Sequence, residues 1–402
     1  MVALSPIKRS LAWQPRRRLP GERGGLGLEE KFAKDSLTGA RNHPMPFNRR
    51  KKLIALPVQV VDVPEGVVLK RGATEVAIKG AHAANAVRLV LNATRGEGAS
   101  PAEIQSLFAR TDAPQVYALI KNLTERHLLV PADTKSVLGE NGESNFDVFS
   151  WNFGQSTAHI MERLNKIRLV IIGVNSISRQ LAMSLVSCGH RNHLVLDDPH
   201  HRNTRFFSKT GRMKKEEWPA TLDRPQSCRT GRPRELGDCL VATSDFGGQR
   251  ALSEWNKTCL DQKVPFLPVM LKNLLGYVGP FVVPGETPCF ECLISRQRSH
   301  SKDALLEDLT DSVAFDGQGV AGFHPAMATI LGDIAAFEIT RFFTESLPKR
   351  EPGQILEVDL LAGKMIGRTV IKVPRCAACS PLHKTSLTSI RKVLFPEDPW
   401  AQ

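Results

Sequence analysis

The chain has 402 residues, of which 42% are hydrophobic and 24% charged, and a formal net charge of +13. That length predicts two or three domains, and that composition excludes a wholly disordered or collagen-like protein. The charge is uneven: residues 1–52 carry 13 Lys+Arg against 4 Asp+Glu, a net of +9, which leaves +4 for the other 350 residues.

The basicity therefore belongs to an N-terminal tail, residues 1–52, rather than to a folded polyanion-binding face. Its prolines and Gly21-Glu22-Arg23-Gly24-Gly25 predict disorder, and Met45 is a second candidate start. No apolar run reaches the roughly 18–20 residues of a membrane span, and no apolar h-region marks a secretion signal, so the expected compartment is the cytoplasm.

A small domain is expected over 53–133. Val58 to Val63 alternates and leads into the Pro64-Glu65-Gly66 turn, and Val67-Val68-Leu69 and Glu75-Val76-Ala77-Ile78 read as further strands. Ala84 to Ala93 has helical periodicity. Ser100-Pro101-Ala102-Glu103 is a capping box that predicts a helix to about Arg110. A third helix, Pro114 to Arg126, would bury Val116, Leu119, Ile120 and Leu123. Strands with three helices in this length predict a winged-helix-like domain. DNA binding, the obvious function for such a fold, is disfavoured because the third helix offers only Lys121 and Arg126 as cations beside Glu125.

Residues 134–152 are mostly polar and read as a linker. The large domain is expected over 153–385, with a tail over 386–402. It opens with a helix from about Phe153 to Asn165, and then Ile167 to Ile172 gives the near-continuous apolar run of a buried parallel strand. Gly173, a helix from about Ile177 to Cys188 and the strand His193 to Leu196, ending in Asp197, complete a βαβ unit. Later strands are expected at Cys239 to Thr243 and Pro265 to Val269, and a long helix from Pro325 to Phe343. His324 reads as a cap or packing residue of that helix rather than as a catalytic group.

Two C-x-x-C pairs carry the clearest chemistry: Cys289 with Cys292, and Cys376 with Cys379. Each spacing lets one turn present two thiolates, and the four together make the ligand set of a structural zinc site with no open position for a catalytic water. The other four cysteines are isolated. The βα turn is degenerate. A phosphate-binding G-x-G-x-x-G needs its later glycines for close backbone approach, and Gly173-Val174-Asn175-Ser176-Ile177-Ser178 keeps only the first.

The large domain resembles the ThiF-like superfamily, relatives of ubiquitin-activating enzymes. The resemblance rests on the Leu169 to Ile172 strand with its Gly173 turn, Leu196-Asp197-Asp198 followed by Asn203, Gly211-Arg212-Met213-Lys214, Ala242-Thr243-Ser244-Asp245 followed by Arg250, and both cysteine pairs. It implies a Rossmann-like α/β domain in which Asp197 holds an ATP ribose, Lys214 contacts phosphates and Asp245 positions magnesium. The alternative for Asp197 and Asp245 is strand-end carboxylates that cap turns. The chain departs from the family at Asn175 and Ser178, and at Phe206, which stands where a phosphate-contacting arginine would fall.

With the small domain in front, and with Pro284 to Leu293 and Pro374-Arg375-Cys376 behind, the chain resembles the leader-peptide-binding partner proteins of azole- and azoline-forming peptide biosynthesis. These are the cyclodehydratase C-type or ocin-ThiF-type subunits, which present a ribosomal precursor peptide to a YcaO enzyme. The resemblance implies leader capture as a strand added at Glu75, Val76, Ala77 and Ile78, with Val116, Leu119, Ile120 and Leu123 as a pocket wall. It implies structural zinc, and it admits a flavin-dependent azoline dehydrogenase and a homodimer as further partners. The alternative is an ATP-dependent adenylating enzyme that activates a carboxylate.

Overall fold

The computed structural model describes residues 51–133, 144–228, 235–313, 321–348 and 353–383. The tail expected over 386–402, residues 1–50 of the N-terminal tail and residues 134–143 of the linker lie outside them. Two compact units are present, one holding residues 51–133 and the other residues 144–383.

In the small unit, β1 (Leu53–Ala55) pairs with β5 (Leu129–Pro131), and β2 (Gln59–Val63), β3 (Gly66–Arg71) and β4 (Thr74–Lys79) form an antiparallel sheet in the order β2-β3-β4. The strands are joined by two-residue turns, Pro64-Glu65 and Gly72-Ala73. Three helices follow: α1 (Ala83–Ala93), α2 (Pro101–Ser106) and α3 (Ala113–Glu125). The second is shorter than expected. Ser100 caps it as predicted, but it ends at Ser106, and a single 3-10 turn occupies Arg110–Asp112.

In the large unit, α4 (Asn145–Trp151) occupies part of the stretch expected to be linker. Ser144 and Asp147 make a capping box, with Ser144 Oγ accepting from the Asp147 N–H at 3.2 Å and the Asp147 carboxylate accepting from the Ser144 N–H at 3.0 Å. The helix expected from Phe153 starts later, as α5 (Thr157–Asn165), behind the Ser156 cap.

The chain then runs through β6 (Leu169–Ile172), α6 (Ser176–Ser187), β7 (His193–Asp197), β8 (Gln226–Ser227), β9 (Cys239–Ser244), α7 (Gln249–Gln262), β10 (Phe266–Lys272), β11 (Leu275–Val278), α8 (Phe290–His300), α9 (Ala304–Val313), α10 (Pro325–Thr344), β12 (Gln354–Asp359) and β13 (Lys364–Thr369). Eight strands form one mixed sheet, ordered β13-β12-β11-β10-β9-β6-β7-β8. The run from β10 to β8 is parallel and the β11, β12 and β13 end is antiparallel.

The central parallel strands β6, β9 and β10 are buried almost throughout because both faces are covered. Leu169 and Ile171 of β6 join the cluster made with α6 and α10, whereas Val170 and Ile172 join the one made with α7, α8 and the cysteines. Gly332 lets α10 cross α6 closely, since a Cβ there would stand 2.8 Å from the Ile177 carbonyl and the Leu181 nitrogen. This is a Rossmann-like arrangement, and β6 marks its switch point, with β7 on one side and β9 on the other. Among the described residues no helix is long and apolar enough to cross a membrane.

Candidate functional sites

Crevices in such sheets form at the C-terminal ends of the strands, at the switch point. Gly173 follows β6 there, Asp197 ends β7 and Asp245 follows β9, so the topology brings three of the four expected nucleotide residues together. Gly173 has φ +108°, and a Cβ would stand 2.8 Å from Asn175 Nδ2. The turn therefore requires glycine, and the Asn175 side chain packs directly against it.

Asn175 is fully buried. Its Oδ1 accepts from the N–H groups of Ile177 (3.1 Å) and Ser178 (3.0 Å), and its Nδ2 donates to Thr243 Oγ1 (2.9 Å), the Thr243 carbonyl (3.0 Å) and the His201 carbonyl (3.2 Å). The N–H of Ser176 donates to Asp245 Oδ2 at 3.0 Å. All three leading N–H groups of α6 are thus satisfied from within the chain, one of them by a carboxylate where a bound anion would sit.

Asp245 is 1% exposed and also accepts from Asn203 Nδ2 at 2.9 Å. Burial pushes its carboxyl pKa above the usual range, against the opposing pull of the Ser176 and Asn203 hydrogen bonds. Asp197 is bound to Arg202 by a bidentate pair at 2.6 and 2.7 Å, which engages both of its oxygens. Lys214 lies on the surface and donates to the Arg205 carbonyl at 2.9 Å. Phe206 is buried in the core beneath the Arg179 guanidinium, and His201 is buried against the Thr243 carbonyl. The helix terminus, Asp197 and Lys214 each have partners in the chain, whereas Asp245 Oδ1 is buried with no hydrogen-bond partner among the described residues. Sequence reading missed Arg202 as the partner of Asp197. It also missed that the Asn175 side chain, and not only its extra bulk, fills the turn.

The four paired cysteines do converge. Sγ separations are 3.9 Å for Cys289 and Cys292, 3.7 Å for Cys289 and Cys376, and 3.6 Å for Cys292 and Cys379, and all four atoms lie within 4.8 Å of one another. Sulfurs at the corners of a tetrahedron, each about 2.3 Å from one ion, stand about 3.8 Å apart, so the set fits zinc. The Val373 N–H donates to Cys292 Sγ at 3.4 Å, and the Asn256 side chain holds the Phe290 N–H at 3.1 Å. Such outer contacts orient thiolate ligands. The hydrogen bond from Cys289 lowers the Cys292 thiol pKa, favouring thiolate there, and the same bond raises that of Cys289.

In the small unit, β4 pairs with β3 and, among the described residues, with no other strand. The Gly80 N–H donates to the Glu65 carbonyl at 2.9 Å, which fixes the alternation: Val76 and Ile78 turn their backbone groups toward β3, and Glu75, Ala77 and Lys79 turn theirs to the open edge. Val76 is buried, Ile78 half-buried, and Glu75 and Ala77 exposed. Val116, Leu119, Ile120 and Leu123 are all buried in the small unit's core with Val67, Leu69 and Val76, so they support the sheet from within and present no open wall. Lys121 of α3 pairs with Glu125 at 3.8 Å. His324 caps α10, its Nδ1 accepting from the Ala326 N–H at 3.2 Å.

No protein-family model and no curated protein matches the sequence. Solved structures do. E. coli MccB with AMPCPP and MccA is 14% identical, over 82% of this chain and 99% of that chain, with a TM-score of 0.59. The heterocyclase TruD is 18% identical over 82% of this chain and 43% of that chain, with a TM-score of 0.55. A heterocyclase in complex with substrate and cofactor is 17% identical over 82% and 40%, with a TM-score of 0.52. The chain thus spans about two fifths of the heterocyclases' length and nearly all of MccB. At these identities the likeness shows the fold alone, one shared with MccB and the heterocyclases.

Proposed function

We propose that the chain is a leader-peptide-binding, non-catalytic partner subunit that presents a ribosomal precursor peptide to a YcaO cyclodehydratase. The observation that carries this reading is a contrast. The N–H groups a nucleotide phosphate would need at α6 are engaged by Asn175 and Asp245, and the outward backbone groups of Glu75, Ala77 and Lys79 lie on an open sheet edge. An extended peptide adds to such an edge through main-chain hydrogen bonds.

The small unit would act as a winged-helix-like recognition domain, and the cysteine quartet as a structural zinc site that clamps the loop after β13 to the start of α8. The solved neighbours with MccA and with substrate support a peptide partner. The pairing of Lys121 with Glu125 speaks against DNA at α3.

Fluorescence anisotropy with the labelled leader of a candidate precursor peptide from the same genome tests the reading. Saturable binding by the full chain that Ala77→Pro weakens about tenfold is expected, the loss of a main-chain hydrogen bond on an otherwise intact strand. Binding that ignores this substitution would place recognition elsewhere.

A further inference from the structure

A cavity of ≈ 550 Å³ lies between α8 and the antiparallel end of the large sheet, a volume typical of small-molecule sites. Its helical side is formed by Leu293, Arg296, Gln297 and His300. Their spacing, i, i+3, i+4 and i+7, makes them one stripe, the stripe that a helix over a sheet ordinarily fills with apolar side chains. Here three of the four are polar. The sheet side alternates to match: Tyr277 pairs with Glu357 and Ile355 with Arg368, so β11, β12 and β13 turn these side chains toward the same space. Leu275, Leu293 and Ile355 keep part of the surface apolar.

The charges in the lining do not cancel. Arg368 holds Glu357 by two bonds of 3.1 Å, and Lys272 faces Glu307 at 3.8 Å, so both carboxylates of the cavity are compensated. Arg296 is the cation left over. Its Nε donates to the Ile371 carbonyl at 2.8 Å, and its guanidinium faces no carboxylate among the described residues. Arg296 is half-buried, and neither of its Nη groups is sealed from solvent, so a ligand in the cavity can reach them. Two further donors stand nearby. His300 follows one turn along the stripe, and burial pushes the Tyr277 hydroxyl pKa up, which keeps it an O–H donor.

We propose that this cavity binds a carboxylate carried on a small apolar body, its oxygens accepting from the Arg296 Nη groups and its apolar part lying over Leu275 and Ile355. A planar guanidinium matches a carboxylate in shape as well as charge. A free acid and an acidic side chain of a bound peptide present this same chemistry. The site uses neither the α6 terminus nor the β4 edge, so it stands independently of leader capture.

The test titrates the zinc-loaded full chain into 4-(trifluoromethyl)phenylacetate and follows the ligand's line width by fluorine NMR. One saturable site per chain is expected, with the neutral amide of the same compound about tenfold weaker. Arg296→Gln should weaken the acid about tenfold and erase its advantage over the amide, while Arg298→Gln, at an arginine that pairs with Asp308 and does not line the cavity, leaves it within twofold. If Arg296→Gln fails to fold, Arg296→Lys, which keeps the charge and removes the planar fork, replaces it with about fivefold weakening expected. A blocked tripeptide with one glutamate between two leucines then separates the sources: displacement assigns the site to a peptide side chain, its failure to a free acid, and either supports the proposal. Equal binding of acid and amide, or an Arg296 substitution that leaves the acid within twofold, overturns it.

Discussion

The crevice at the end of β6, β7 and β9 and the edge strand β4 both present backbone N–H groups, and the two sets are partnered in opposite ways. At the crevice every leading N–H of α6 has an acceptor from the same chain. At β4 the outward groups of Glu75, Ala77 and Lys79 stand on an edge with no neighbouring strand among the described residues. Buried polar groups have to be satisfied, whereas exposed edge groups can wait in water for a partner. The difference teaches that a helix terminus satisfied from within the chain offers an incoming anion fewer free donors than an edge strand offers an incoming peptide.

Removing the zinc ligands should separate the two regions most sharply. Cys376→Ser is expected to lose bound zinc and destabilise the large unit by on the order of 5 kcal/mol or more, because metal binding at a closed site is folding energy. Leader affinity should change less than twofold, since β4 belongs to the other compact unit. Metal analysis, thermal unfolding and leader anisotropy on one preparation check all three statements.

The next effect is at the edge. Val76→Pro removes a donor that faces β3 and should unfold the β3 and β4 hairpin, lowering the stability of the small unit, whereas Ala77→Pro should leave stability nearly unchanged and weaken the leader about tenfold. If the two prolines act alike, the assigned register is wrong.

Asn175→Gly then probes the crevice. It deletes the α6 cap and the bonds to Thr243, at a cost of about 2 kcal/mol in urea or thermal unfolding. It should not create nucleotide binding, because Asp245 still holds the Ser176 N–H.

The smallest effect is proton-linked. Asp245 has a raised pKa in the folded protein, so between its ordinary and its raised value the folded state binds more protons than the unfolded one. Its favourable contribution is complete below the ordinary carboxylate range and is lost as pH rises through the folded value. Asp245→Asn should remove this decline, so that its midpoint relative to wild type climbs by a few degrees from pH 4 to pH 7. A difference independent of pH would mean that Asp245 titrates normally.

Some of this was legible in the sequence, for reasons specific to each residue. The Cys289, Cys292, Cys376 and Cys379 set could be read because ligand spacing within a turn is a local property, and β6 because burial on both faces removes alternation. Helical periodicity found the face of α3 that carries Val116, Leu119, Ile120 and Leu123. It could not tell a core face from a groove wall, since both are apolar at the same spacing. The absent glycines at 175 and 178 signalled a degenerate turn. The bonds from Asn175 to Thr243 and from Asn203 to Asp245 span 68 and 42 residues and exist only once β6, β7 and β9 are side by side. Helix ends at Ser106 and Thr157 were the least legible, as caps and fraying decide them locally.

The most direct measurement of the central claim is ATP–pyrophosphate exchange by the zinc-loaded full chain in the presence of saturating precursor peptide. A filled α6 terminus predicts exchange no faster than in buffer, with wild type and Asp245→Ala indistinguishable. Exchange by the wild type that Asp245→Ala abolishes would contradict the account and make the crevice an adenylating active site.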